Sequence, residues 1–204
     1  MNFFFFLDNI DPNLSSSVEV FNRPSAPRLC KDNIISKNIF VFYSDSNKWV
    51  SKKLASIKPF ESVVIHKKDL PKEFQKESVF ICLSSKNKLD EGLLINENYM
   101  NSSPAWRANT KIYSKNSSVS YQAEYPYLMT FKKLSLVSCS PMLQKGSGIS
   151  SFFILVNLKN LPEQNYFNIK VMTTDKKSIK DLKFKTNSIN IFNMDSILNF
   201  KNNL

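Results

Sequence analysis

The 204-residue sequence predicts an all-β protein: a single antiparallel β-sandwich, jelly-roll or immunoglobulin-like, with few short helices. Short runs rich in Val, Ile, Phe, Tyr and Thr recur about every 8–12 residues and are bounded by Asn, Ser, Asp or Pro. No long amphipathic pattern separates these runs, and the only helical candidates are the segments 70–78 and 194–203. A hydrophobic fraction of 42%, with 13% aromatic residues, is enough for one core of ordinary globular composition.

The beginning of the chain is expected to be an N-terminal arm, residues 1–30, followed by a single domain over residues 31–204. Two prolines within 22–30, NRPSAPRLC, favour an extended or irregular chain there. The run from Phe3 to Phe6 is expected to be an edge strand docked on the chain's own core. The alternative is that this run is a hydrophobic contact for a partner.

From residue 38 onward the pattern predicts strands throughout. The predicted strands are 39–43, a second strand from 49, a third after Pro59, 78–85, a hairpin within 106–125, then 150–159, 166–174, 182–186 and 188–194.

An internal repeat is suggested by the similarity of residues 39–70 to residues 166–197. In both, a strand leads into a polar turn, a lysine-rich second strand and a third strand. The third strands match residue by residue: Ser62 with Ser188, Val63 with Ile189, Ile65 with Ile191 and Asp69 with Asp195. A real duplication predicts two related three-stranded units in one sandwich; the alternative is a chance match in a biased composition.

The segment 106–125, WRANTKIYSKNSSVSYQAEY, predicts a β-hairpin with Lys115 and Asn116 as a two-residue turn. Asn tolerates the positive φ of such turns better than Lys does. The turn fixes which residues lie opposite each other. One face then pairs Ile112 with Val119, Thr110 with Tyr121, Ala108 with Ala123 and Trp106 with Tyr125. The polar face pairs Lys111 with Ser120, Asn109 with Gln122 and Arg107 with Glu124.

The polar side of this hairpin is the candidate ligand-binding site. Its residues are Arg107, Asn109, Gln122 and Glu124, with Trp106, Tyr125 and Tyr127 as an aromatic platform at the strand ends. Amides and charged groups beside aromatic rings suit polyhydroxylated ligands, which need paired donors and acceptors and have apolar C–H faces. The structural alternative is an exposed ladder whose pairs contribute roughly 0.2–1 kcal/mol each and bind nothing.

The net charge of +11 raises the question of an anionic partner. Of the 28 basic residues only three are arginines, Arg23, Arg28 and Arg107, although Arg is the usual choice for bidentate contacts to phosphate or bases. The lysines are also spread along the chain. Their abundance, together with that of Asn, Ile and Phe, is typical of an AT-rich coding sequence, so nucleic acid is the less favoured partner.

The sequence lacks the residues that several kinds of functional site require. The three cysteines, Cys30, Cys82 and Cys139, are widely spaced and form no CxxC pair, which argues against a disulfide framework, a zinc site or another metal site. The single histidine, His66, ends an apolar run and is interpreted as structural. No nucleotide or hydrolase motif occurs, and no cofactor is expected. With no apolar run near 18 residues and no signal peptide, we expect a cytoplasmic protein without a membrane span.

These observations favour a non-catalytic module that binds glycans or a protein partner, or that assembles. One alternative is a carbohydrate-active enzyme that uses Arg107 and Glu124, in which the arginine would keep the carboxylate ionised and leave it a base or nucleophile. The other alternative is a protein that binds nucleic acid or another anionic polymer through lysines and exposed aromatic residues.

Overall fold

The computed structural model describes residues 3–10, 12–22, 35–89, 109–122, 150–157, 161–172 and 177–198. Within these residues the protein is mostly β, with antiparallel sheets and only short helices, so the predicted fold class is confirmed. The strands, numbered in chain order, are β1 (Phe3–Leu7), β2 (Ser15–Phe21), β3 (Lys37–Ser44), β4 (Trp49–Ile57), β5 (Ser62–His66), β6 (Val79–Ser84), β7 (Asn109–Tyr113), β8 (Ser118–Gln122), β9 (Phe152–Val156), β10 (Tyr166–Met172), β11 (Ser178–Lys185) and β12 (Ile189–Asn193).

The helical segments are short. A 3-10 turn, Lys67–Asp69, follows β5, and α-helices cover Lys72–Gln75 and Met194–Leu198. Both α-helices lie inside the segments predicted to be helical, 70–78 and 194–203. Among the described residues, no helix is both long and apolar enough to cross a membrane.

The strands form two four-stranded sheets, ordered β1-β6-β3-β4 and β5-β2-β7-β8, and two pairs, β9 with β12 and β10 with β11. Every described pairing is antiparallel. The sandwich, in its jelly-roll or immunoglobulin-like form, stays a prediction.

Three hydrophobic clusters place these sheets in successive layers. The first joins the two four-stranded sheets, because it contains Val18 and Val20 of β2 together with Ile39 and Val41 of β3. The second lies on the other side of β3, where Phe40 and Phe42 contact the β9–β12 pair. The third joins that pair to the β10–β11 hairpin, and its buried members include Leu182. Alternation along β3 explains the arrangement, since successive side chains point to opposite faces.

The described parts of the predicted arm belong to these sheets. β1 is an edge strand paired with β6, and Phe6 is buried in the chain's own core, which agrees with the first of the two alternatives given for the phenylalanine run. β2 lies between β5 and β7, with Val18 and Val20 fully buried. The division of the chain at residue 30 stays a prediction.

The two similar segments share their strand connectivity. In each, a hairpin (β3–β4, then β10–β11) is followed by a strand that leaves it and pairs with the strand before the hairpin. That preceding strand is β2 in the first segment and β9 in the second. Each unit therefore has four strands, β2 to β5 and β9 to β12, one more than the sequence predicted.

Backbone geometry at the start of the last strand fixes the correspondence between the units. The N–H of Phe60 donates to the carbonyl of Asn22 over 2.7 Å, and the N–H of Asn187 donates to that of Asn157 over 2.8 Å. Phe60 and Asn187 both have positive φ, 67° and 53°. Because each lies two residues before its strand, Ser62 corresponds to Ile189, not to Ser188.

The residue pairs predicted from the sequence are therefore displaced by one position. A displacement of one residue in a strand exchanges its two faces. The structural correspondence places Ile65 with Phe192, and both side chains pack towards the hairpin of their own unit. The similarity of SVVIH to SINIF matched apolar residues that point in opposite directions.

Candidate functional site

The hairpin β7–β8 has the predicted register wherever it is described. Thr110 lies opposite Tyr121 and Ile112 opposite Val119, while Lys111 lies opposite Ser120. Thr110 is fully buried and Ile112 is half-buried, whereas Lys111 and Ser120 are exposed. The predicted register is therefore confirmed, and on the apolar face the β7 residues are buried or half-buried whereas Val119 of β8 is 62% exposed.

The turn of this hairpin is held by a serine. The N–H of Ser114 donates to the Ser117 carbonyl over 2.8 Å, which closes a loop of two residues, Lys115 and Asn116. The Ser114 hydroxyl accepts the N–H groups of Asn116 at 3.3 Å and Ser117 at 3.1 Å. Neither loop residue is among the described residues with positive φ. The side-chain turn of Ser114 thus replaces the left-handed conformation expected of Asn116.

The polar side of the hairpin continues across β2 and β5. We call this surface the polar face. It consists of residues that alternate along four hydrogen-bonded strands: Ser17, Glu19, His66, Asn109, Lys111, Tyr113, Ser120 and Gln122. Two rows cross it, one from His66 through Ser17 and Lys111 to Ser120, the other from Glu19 through Asn109 to Gln122.

His66 and Tyr113 form a bridge over strand β2. Their strands lie on either side of β2, about 10 Å apart at the usual strand spacing. The Nδ1 atom of His66 nevertheless lies 3.1 Å from the Tyr113 hydroxyl, and the two rings meet edge to face with centroids 6.2 Å apart. Ser17 lies directly opposite His66 and Lys111 and is only 4% exposed.

The hydroxyl of Ser17 makes no side-chain hydrogen bond with any described residue. Its surroundings offer several groups to a ligand: an ammonium at Lys111, a carboxylate at Glu19 and an amide at Asn109. The polar face therefore combines donors, acceptors and two aromatic rings within one sheet surface.

The charges of the polar face nearly cancel. Glu19 supplies one negative charge and Lys111 one positive charge, and both side chains are exposed. Among the described residues, no group of three or more His, Cys, Asp or Glu side chains could hold a metal ion.

The structure brings together only part of the predicted site. Asn109 and Gln122 lie opposite each other at the end of β7 and β8. Arg107, Glu124, Trp106, Tyr125 and Tyr127 lie outside the described residues, so their grouping stays a prediction.

Sequence reasoning missed the contributions of β2 and β5. His66 was interpreted as structural, and Ser17 and Glu19 fell within the predicted arm. The alternation of Val18, Glu19 and Val20 in SSSVEVF was the available signal for a half-buried strand. No local pattern indicates that this strand lies beside β7.

No protein-family model matches the chain, and comparisons with curated proteins and with solved structures find no similar one.

Proposed function

We propose that the protein is a non-catalytic binding module that holds a neutral polyhydroxylated ligand, a glycan, on the polar face. The observation that carries this proposal is the group of hydrogen-bonding side chains beside the His66–Tyr113 contact, in which Lys111 and Ser120 are exposed and Asn109 is half-buried. A sugar hydroxyl can accept from the Lys111 ammonium and can both donate to and accept from the Ser120 hydroxyl.

The amide row supports the same ligand class. Asn109 and Gln122 each carry a carbonyl acceptor and an NH2 donor, and vicinal hydroxyls of a sugar offer the complementary pair. The rings of His66 and Tyr113 provide apolar surface against which the C–H face of a sugar could pack. The near neutrality of the face argues against an anionic ligand at this place.

The enzymatic alternative depends on Arg107 and Glu124, which lie outside the described residues. It stays a prediction, and one measurement separates it from the binding proposal. A carbohydrate-active enzyme would turn over a bound oligosaccharide, and a Glu124→Gln variant would abolish turnover. A binding module would leave the oligosaccharide chemically unchanged.

A thermal-shift screen against neutral oligosaccharides, followed by titration calorimetry of any hit, tests the proposal. A ligand that binds only the folded protein stabilises it by about 2.7 kcal/mol at 100 times its dissociation constant. We expect Asn109→Ala combined with Gln122→Ala to weaken binding at least tenfold, because each lost hydrogen bond contributes about 1 kcal/mol.

The matched control is Asn168→Ala, which removes an exposed amide from a strand of another sheet. This variant should bind the sugar as the unmodified protein does. If no neutral sugar raises the melting temperature, or if the double variant keeps full affinity, the polar face is not a glycan site.

A further inference from the structure

A second surface with its own chemistry lies at the opposite end of the stacked layers. We call it the basic face. It is the outward side of the β10–β11 hairpin and consists of Tyr166, Asn168, Lys170, Asp181, Lys183 and Lys185. The other side of this hairpin supplies Leu182 to the third hydrophobic cluster. The cross-strand pairs, among them Tyr166 with Lys185 and Asn168 with Lys183, place all six side chains on one face.

The positive charge of the basic face is not compensated. Three lysines stand against one carboxylate, and in the described part of the chain no ion pair links Lys170, Lys183 or Lys185 to an acid. Lys170 and Lys183 are exposed and Lys185 is half-buried. The two lysines of β11 lie two residues apart on the same face, about 7 Å along the strand.

An exposed aromatic ring lies among these lysines. Tyr166 is 57% exposed. The Nζ atom of Lys183 lies 4.3 Å from its ring centroid and that of Lys185 lies 6.0 Å away, within the range of cation–π attraction. Two ammonium groups therefore lie near the ring, which stays more than half exposed.

The first hairpin of the structural repeat shows that the packing of the layers does not require lysines and a tyrosine on this side of a hairpin. The corresponding outward side of the first hairpin carries Phe40 and Phe42, which are buried against the β9–β12 pair. At the end of the stack an apolar surface would be exposed, so polar residues there are expected. Any polar side chains would keep the last layer from exposing an apolar surface. This requirement explains neither the excess of positive charge on the basic face nor its exposed tyrosine.

We infer that the basic face binds single-stranded nucleic acid. Lys170, Lys183 and Lys185 would contact successive phosphates, and a base would stack on Tyr166 once phosphate draws the lysines from the ring. Grooves that bind single strands combine these two elements, a basic track and an aromatic ring that accepts any base. This inference concerns a different surface from the polar face and does not depend on the proposed glycan site.

Fluorescence anisotropy with a labelled oligothymidine of about 12 nucleotides tests the inference. The logarithm of the association constant should fall linearly with the logarithm of the salt concentration. The double variant Lys183→Gln/Lys185→Gln should reduce the magnitude of this slope by about 1.4, since each lost phosphate contact contributes about 0.7 for single strands. The matched control, Lys68→Gln/Lys72→Gln, removes two exposed lysines from the segment after β5 and should leave the slope unchanged.

Variants of Tyr166 separate stacking from charge. Tyr166→Leu should weaken binding about tenfold at constant salt, whereas Tyr166→Phe, which keeps the ring, should bind within about twofold of the unmodified protein. Equal losses in the two double lysine variants, or full affinity in Tyr166→Leu, would overturn the inference. So would equal affinity for duplex DNA or for heparin, because a general attraction for polyanions needs no aromatic ring.

Discussion

The Nδ1 atom of His66 lies 3.1 Å from the hydroxyl of Tyr113, across the full width of strand β2. Neither residue is adjacent to the other in the sheet, because β5 and β7 both pair with β2. The contact ties the two outer neighbours of β2 together, and Ser17 on the strand between them is only 4% exposed. Substitutions at this contact therefore measure how much it contributes to the stability of the sheet that carries the polar face.

Replacing Tyr113 by Phe removes the hydroxyl and keeps the ring. We expect the free energy of unfolding to fall by about 1 kcal/mol, because the partly buried His66 loses its hydrogen-bond partner. Urea unfolding followed by circular dichroism measures this difference. In the control Tyr166→Phe, the hydroxyl has no hydrogen bond to any described residue, and the change should stay within about 0.5 kcal/mol. Equal changes in the two variants would show that the contact does not stabilise the fold.

The two positive-φ residues at equivalent places in the repeat should respond oppositely to glycine. Phe60 has a φ of 67° and is 66% exposed, so Phe60→Gly relieves backbone strain and loses little packing. We expect the free energy of unfolding to rise by about 0.5–1 kcal/mol. Guanidinium unfolding at a fixed temperature measures it.

Asn187→Gly is the counterpart of this variant. The Asn187 side chain donates to the carbonyl groups of Leu161 at 2.7 Å and Glu163 at 2.9 Å, and the residue is almost fully buried. Losing both bonds should lower the free energy of unfolding by about 2 kcal/mol, although φ is as positive as at Phe60. A stabilised Asn187→Gly protein would mean that backbone strain outweighs these bonds.

The alkaline stability of the protein should depend on Lys67. Burial lowers the pKa of this lysine from 10.5, opposed by the negative charges of Asp8 and Glu77. Between the lowered pKa of the folded protein and 10.5, the unfolded chain binds more protons, so the free energy of unfolding rises with pH. We expect this rise in the unmodified protein and not in Lys67→Met. Unfolding curves recorded from neutral pH towards 10.5 give the free energy of unfolding of both proteins. The contributions of other titrating groups cancel in the difference between the two values.

The acid beside Lys67 should matter at all pH values where it is ionised. Asp8 Oδ1 lies 3.8 Å from Lys67 Nζ, and both side chains are largely buried. Asp8→Asn removes the ion pair and leaves the ammonium, among the described residues, with the carbonyl groups of Leu7 and Glu77 and the negative charge of Glu77; it should cost about 3 kcal/mol. Asp69→Asn, an exposed acid close in sequence to Lys67, is the control and should change stability little. A loss below about 1 kcal/mol for Asp8→Asn would show that the ion pair contributes little.

The thiol of Cys82 should be unreactive in the folded protein. Cys82 is fully buried in the second cluster, and burial raises the pKa of its thiol. In a Cys30→Ser/Cys139→Ser background, we expect no modification by a water-soluble disulfide reagent until denaturant is added, and complete modification afterwards. Rapid labelling of the native protein would show that the β3–β6 region opens to solvent.

Local alternation was sufficient for much of the fold. Period-2 patterns located the strands, and the sequence of the β7–β8 hairpin predicted its register because both faces and the turn agreed. The same reasoning placed the similar segments but misaligned them by one residue. Sequence similarity compared apolar residues, whereas the hydrogen bonds of Phe60 and Asn187 define which positions are equivalent.

The candidate site was predicted only in the part that lies within one hairpin. Asn109 and Gln122 are neighbours because a two-residue turn brings their strands together, and a turn is a local feature. Ser17 and His66 join them because β2 inserts between β5 and β7, which are distant in sequence.

By itself, then, the sequence determined where most of the strands after residue 38 lie and, in the β7–β8 hairpin, which residues share a face, since both follow from the two-residue repeat of the extended backbone. Only the tertiary structure decided which strands lie side by side. That choice depends on how separate segments bury their apolar faces against one another, and no short stretch of sequence contains this information.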